Sequence, residues 1–205
     1  MEGWVWLKED EKALVLDFLP RGKSSGFKQE PIAQVVGKEY FTLLEVVPRE
    51  NVVLKAGIEV YIGRSERKEI DHIKKRIQSK DLTSNALSEL ENLLPVLVKE
   101  NEKKFVDFFN NASPITIKRH QLELLPGLGK KHMLEVLSER EKKPFESFAE
   151  IEQRVRLLPN VQKAIVRRIL EELSGEEEKH FLFAKPFPRE QPPGQERGEF
   201  GRRRY

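Results

Sequence analysis

The sequence predicts an α+β chain: a small closed β-barrel of the OB or SH3-like kind over residues 1–64, then helices, with an all-α domain over residues 113–175. Three observations carry this. β-rich runs broken by charged turns crowd the first 64 residues. Apolar residues recur at helical spacing from about residue 83 onward. A proline and two glycines at positions 126–129 then interrupt that helical region at one point.

Within the barrel, Trp4–Leu7 and Ala13–Phe18 read as strands, followed by Ile32–Val36, a turn at Gly37-Lys38, and Tyr40–Val47. Ile58–Gly63 alternates inward Ile58, Val60 and Ile62 with outward Glu59 and Tyr61. The loop Leu19–Lys28 is polar and glycine-rich. Its Gly22-Lys23-Ser24 ends like a P-loop, but the first glycine that signature requires falls on Asp17, so no nucleotide site is expected. Arg21, Lys23, Phe27 and Lys28 combine charge with a stacking ring and are candidates for secondary nucleic-acid contacts.

Residues 65–112 read as a helical connector. Ile70, Ile73 and Ile77 follow helical spacing over residues 66–78. A second helix starts near Thr83 or Ser84 and carries Leu87, Leu90 and Leu94, and Pro95 is expected to end or kink it. Val96–Phe109 continues helically with Leu97, Phe105 and Phe108 or Phe109 inward. Ser113 and Pro114 then look like the cap and first residue of a helix over Ile115–Glu123.

Pro126 ends that helix, and Gly127 and Gly129 leave the backbone without a Cβ. The next helix runs from Lys130 to about Glu141. Its first N–H groups, at Gly129, Lys130 and Lys131, are unpaired and lie at the positive end of the helix dipole. This is an anion site, and the expected anion is a nucleic-acid phosphate. Leu125, Pro126, Gly127, Leu128, Gly129 and Lys130 match the hairpin of the helix-hairpin-helix family without departure. That resemblance implies contact with a phosphodiester backbone irrespective of sequence. Gly127, Leu128, Gly129, Lys130 and Lys131 are accordingly the nucleic-acid-binding candidates.

A repeat follows at an offset of 33 residues, pairing Leu124 with Leu157, Pro126 with Pro159 and Lys130 with Lys163. Asn160 and Gln162 replace both glycines, so the second hairpin reads as a degenerate packing partner of a tandem pair over 113–175. Ser147–Glu150 opens a helix as a capping box, and Asn160 caps the last one, whose stripe is Val161, Ile165, Ile169 and Leu173. Ser174-Gly175 stops it. In the extension 176–205, Phe181–Phe183 is expected to fold back. From about Lys185 prolines, glycines and Arg202, Arg203 and Arg204 make a flexible basic tail, a further candidate contact.

The chain has 37 Lys and Arg against 34 Asp and Glu, a net charge of +3. Residues 115–174 hold 12 basic and 9 acidic side chains and 185–205 hold 6 and 3, so the excess lies where a polyanion would bind. No run approaches a membrane span, no signal-peptide pattern opens the chain, and cysteine is absent, all consistent with a cytoplasmic protein. His72, His120, His132 and His180 have no second ligand at metal spacing, and no nucleophile motif exists. No catalytic residue, metal or cofactor is therefore expected. The alternatives to a non-catalytic nucleic-acid-binding protein are a protein-interaction adaptor and, less favoured, a repair or processing enzyme.

Taken together, Leu14–Gly22, Glu39–Glu45, Val60–Gly63, His120–Gly127 and Pro144–Phe148 resemble an archaeal family described as RNA-binding proteins of unknown function, the domain-of-unknown-function 655 group. The resemblance covers about residues 1–184. It implies a small barrel joined to a helix-hairpin-helix domain in a cytoplasmic archaeal protein. The preference for RNA over DNA rests on it alone.

Overall fold

The computed structural model describes residues 9–23, 30–156, 158, 160–175 and 179–187. The expected strand Trp4–Leu7, the loop positions Phe27 and Lys28, and Arg202, Arg203 and Arg204 lie outside the described residues, as do Leu157 and Pro159 of the repeat.

Five strands, β1 (Lys12–Leu19), β2 (Ile32–Gly37), β3 (Leu43–Pro48), β4 (Glu59–Tyr61) and β5 (Ile70–Arg76), form one antiparallel sheet in the order β4-β1-β2-β3-β5. Strand alternation sorts its side chains. Ala13, Val15, Ala33, Val35, Val46 and Val60 pack on one face, while Leu14, Leu16, Val36 and Leu43 turn to the helices. The sheet curls as a half-barrel. Among the described residues β4 and β5 are its free edges, so the expected closed barrel is open at this seam.

β5 corrects the helix expected over residues 66–78. Its register against β3 slips twice, between Glu45 and Val46 and between Val47 and Pro48, so Lys74 and Asp71 are extra residues on β5. The bulge at Asp71 adds one residue to the period of two and puts Ile70 and Ile73 three apart, which imitates a helix, while Ile77 lies just past β5 in the other apolar cluster. Ile70 and Ile77 are buried, whereas Ile73 is partly exposed. Ile58, expected inward, lies just before β4 and is 43% exposed.

Helix α1 (Ser84–Glu100) starts at Thr83, whose Oγ1 accepts from the Ala86 N–H at 3.0 Å and donates to Asp17 of β1 at 2.6 Å. Pro95 does not end α1, which runs on to Glu100, and the break before α2 falls at Asn101. A proline in a helix interior costs roughly 3 kcal/mol, and the burial of Leu90, Leu94, Leu97 and Val98 offsets it. α2 (Glu102–Asn111) follows and buries Phe105 and Phe109. These helices share one core with the sheet and with α5 (Val161–Ser174), so they are the middle of the fold rather than a connector.

The helix expected over Ile115–Glu123 is absent. Pro114 opens a two-stranded hairpin, β6 (Pro114–Thr116) and β7 (Arg119–His120), and Gln121–Leu124 makes only a 3₁₀ turn. The β-branched run Ile115-Thr116-Ile117 favours extended backbone over helix, which overrides the Ser-Pro start signal. α3 (Lys130–Lys142), α4 (Phe148–Arg154) and α5 stand close to their expected places. Ser147 caps α4 through the Glu150 N–H, but Glu150 accepts from Glu146 rather than from Ser147. Gly175, at φ 83°, ends α5. Phe183 returns to the core against Phe105 and Phe108, with ring centroids 5.1 Å away in each case.

Candidate nucleic-acid interface

The loop into α3 is held from below and bare above. Leu124, Leu125 and Leu128 are buried, and the Leu128 N–H bonds to the Leu125 carbonyl at 3.0 Å. Gly127 takes φ +88°, a conformation costly for any residue with a Cβ. Gly129 does not: at φ −87° it is an extended cap, and a Cβ placed there would meet nothing within 4 Å. Open space therefore lies directly over the start of α3.

In α1, α4 and α5 the side chains of Thr83, Ser147 and Asn160 accept a first-turn N–H, whereas α2, which continues from α1, has no side-chain cap at Asn101. The N-cap of α3 is Gly129 and offers none. The N–H groups of Gly129, Lys130 and Lys131 have no acceptor among the described residues. They remain available to an anion at the positive end of a 13-residue helix.

The turn upstream is pinned. His120 is buried, its Nδ1 accepts from the Leu122 N–H at 3.1 Å, and its own N–H donates to Glu123 at 2.8 Å. Burial, then the nearby Arg140 charge, holds the His120 imidazole below its ordinary value, which keeps Nδ1 an acceptor. His120 is thus a cap, not a candidate acid or base.

Gly127, Gly129, Arg119 and Glu123 share a surface depression of about 500 Å³ with Arg168 and Glu171 of α5. Its two carboxylates are engaged: Glu123 with the His120 N–H, Glu171 with Arg167 at 3.4 Å and Arg168 at 4.0 Å. Arg119, Lys130 and Lys131 stand at the loop, all exposed, and Lys118 is exposed next to Arg119; none has a carboxylate partner among the described residues. The local field is positive, and its cations are not neutralised within the fold. No three His, Cys, Asp or Glu side chains gather as metal ligands would, among the described residues.

The structure sorts the candidates. Gly127, Gly129, Lys130 and Lys131 face solvent together. The Leu128 side chain is buried and anchors the loop. Arg21 is exposed at the end of β1, and Lys23 turns inward, its Nζ 2.5 Å from buried Glu45 and 3.0 Å from the Asp81 carbonyl. Lys23 is thereby a core counter-ion rather than a free cation. Arg119 is added by the structure: the helix expected over Ile115–Glu123 gives it no common direction with the loop, and the β6–β7 hairpin does.

The family described as "Protein of unknown function (DUF655)" matches this chain over residues 9–185. The chain belongs to the DUF655 family. This DUF655 chain is 42% identical over 179 residues to the uncharacterized protein MJ0038 of Methanocaldococcus jannaschii, spanning 87% of this chain and 81% of that protein. It is also similar to the crystal structure of Af1531 from Archaeoglobus fulgidus, of the same family, at 45% identity and a TM-score of 0.77. That match covers 86% of this chain and all (100%) of the other.

Proposed function

We propose that this DUF655 protein is a non-catalytic nucleic-acid-binding protein that grips a phosphate backbone at the start of α3, with RNA favoured over DNA. The observation that carries the reading is the start of α3: an N-terminus with free N–H groups, an open Gly129, and Arg119, Lys130 and Lys131 exposed beside it without a carboxylate partner among the described residues. Within this reading, residues 113–175 are a helix-hairpin-helix domain whose first helix is reduced to the 3₁₀ turn, and the half-barrel is a relative of the OB or SH3-like barrels. The second hairpin is the inactive copy, because Asn160 Oδ1 already accepts from the Lys163 N–H at 2.8 Å. The RNA preference derives from the family resemblance.

Filter-binding titration against structured RNA, single-stranded RNA and duplex DNA tests the reading. Binding is expected to be nearly indifferent to sequence, with a slope of log K on log salt of about −2 to −4 for the few phosphates one hairpin can neutralise. If nothing binds below about 10⁻⁴ M at physiological salt, the weak end of non-specific binding, the protein is instead an adaptor for another protein.

A further inference from the structure

The tip of the β6–β7 hairpin carries a residue that neither packs nor helps the turn. Thr116 pairs with Arg119, so Ile117 and Lys118 alone form the loop. Ile117 is 105% exposed, more open than any other large apolar side chain among the described residues. Two-residue hairpin loops favour Asn and Gly at positive φ, and neither Ile117 nor Lys118 takes positive φ. The tip is closed instead by Thr116 Oγ1, which accepts from the Lys118 N–H at 3.3 Å. Turn formation therefore does not account for an isoleucine there.

The base of the hairpin is rigidly fixed. The Gln121 N–H donates to the Ser113 carbonyl at 3.1 Å, the Gln121 amide oxygen accepts from the Ser113 N–H at 2.8 Å, and His120 is buried as the cap of the next turn. Lys118 and Arg119 follow Ile117 directly, with no carboxylate partner among the described residues, and Arg119 lines the same depression as Gly127 and Gly129. An apolar β-branched side chain held out next to two cations, on a hairpin that borders a phosphate-gripping loop, has the chemistry of a wedge between bases.

We propose that Ile117 inserts between unstacked bases of the bound nucleic acid while Lys118 and Arg119 hold the flanking phosphates. The preferred ligand is then a duplex carrying a bulge or a junction, where unstacking is already partly made, over an uninterrupted duplex. This deepens the nucleic-acid reading and rests on it.

The test uses the full chain with an RNA duplex bearing a one-nucleotide bulge, 2-aminopurine placed beside the bulge, and the same duplex without the bulge. The wild type is expected to bind the bulged duplex about tenfold more tightly and to raise the 2-aminopurine fluorescence, since the unstacked base regains its emission. Ile117→Ala removes a side chain that touches nothing in the fold, so its melting curve stays unchanged. It should bind the uninterrupted duplex as the wild type does, lose the preference for the bulge and leave the fluorescence flat. Lys118→Ala should weaken both duplexes alike and lower the salt slope by about 1. If Ile117→Ala keeps both the preference and the fluorescence rise, the wedge is overturned while the backbone-binding reading stands. If the wild type binds neither duplex, both fall together.

Discussion

Replacing Glu172 by alanine should release the chain that crosses back from α5 to the sheet. The Glu172 side chain is fully buried. Its Oε1 accepts from Arg168 Nε at 2.8 Å and the Leu182 N–H at 2.7 Å, and its Oε2 from the Phe183 and Ala184 N–H groups at 3.0 and 2.8 Å. Arg168 also donates to the His180 carbonyl. Burial raises the Glu172 carboxyl, and the three amides and Arg168 oppose it; four converging donors suit only the ionised form. Removing one partner of a buried ion pair costs about 3–5 kcal/mol. Three orphaned amides would each add about 1–3 kcal/mol if they stayed buried. The segment avoids that sum by swinging away, which withdraws Phe183 from Phe105 and Phe108 at about 1.5–3 kcal/mol. The same movement opens Arg168 to water and relieves part of the unpaired-charge cost, so the net expectation is a loss of about 3–5 kcal/mol, with Glu172→Gln intermediate. Urea unfolding gives the stability, and hydrogen exchange at Leu182, Phe183 and Ala184 reports the release. A loss under about 1 kcal/mol, or amides still protected in Glu172→Ala, would refute the reasoning.

Three further outcomes are expected. The His120 imidazole is depressed below its ordinary 6.5, so the stability it lends the turn is complete above that pH and is lost as pH falls through the folded value. Imidazole NMR titration beside thermal melts should show this, and His120→Asn, which keeps a side-chain acceptor, should remove the dependence. Glu45 behaves in the same sense at lower pH. Burial raises its carboxyl, but Lys23, Lys75 and Gln34 together hold it below 4.5, so its contribution is present above pH 4.5 and vanishes as pH falls through the folded value. Lys23→Met should cost roughly 1–3 kcal/mol in urea unfolding and flatten that acid limb. Asn160→Ala should cost about 1 kcal/mol of stability for the lost α5 cap and leave nucleic-acid titrations unchanged.

What was legible in the sequence was local and self-contained. The β-rich run Ala13–Phe18 between charged turns marked β1, Thr83 and Asn160 announced the helices they cap, and Gly127 to Lys131 marked the loop now at the surface. The misses share one cause, in that a residue's partner decided its state. The bulge at Asp71 opposite β3 put Ile70 and Ile73 at apparent helical spacing, and Ile77 just past the strand completed the pattern. Pairing with Arg119 and His120 made a hairpin of Pro114–Thr116 despite a helix-start signal. The burial of Leu94 and Leu97 carried α1 past Pro95. Lys23 looked free until buried Glu45, 22 positions on, claimed it, and Arg119 joined the site only once the hairpin brought it there.

The central claim is that exposed backbone at the start of α3 receives a phosphate, and Gly129→Val tests it most directly. At φ −87° with nothing within 4 Å of the added Cβ, valine should be accommodated without strain, so a melting curve near that of the wild type is expected and controls for folding. The branched side chain would stand over the N–H groups of Gly129, Lys130 and Lys131 and obstruct the approach of phosphate. RNA affinity in a filter-binding titration should fall by at least tenfold, while Lys130→Ala and Lys131→Ala each weaken binding more gently and lower the salt slope by up to about 1. A folded Gly129→Val protein that binds RNA as tightly as the wild type would contradict the account.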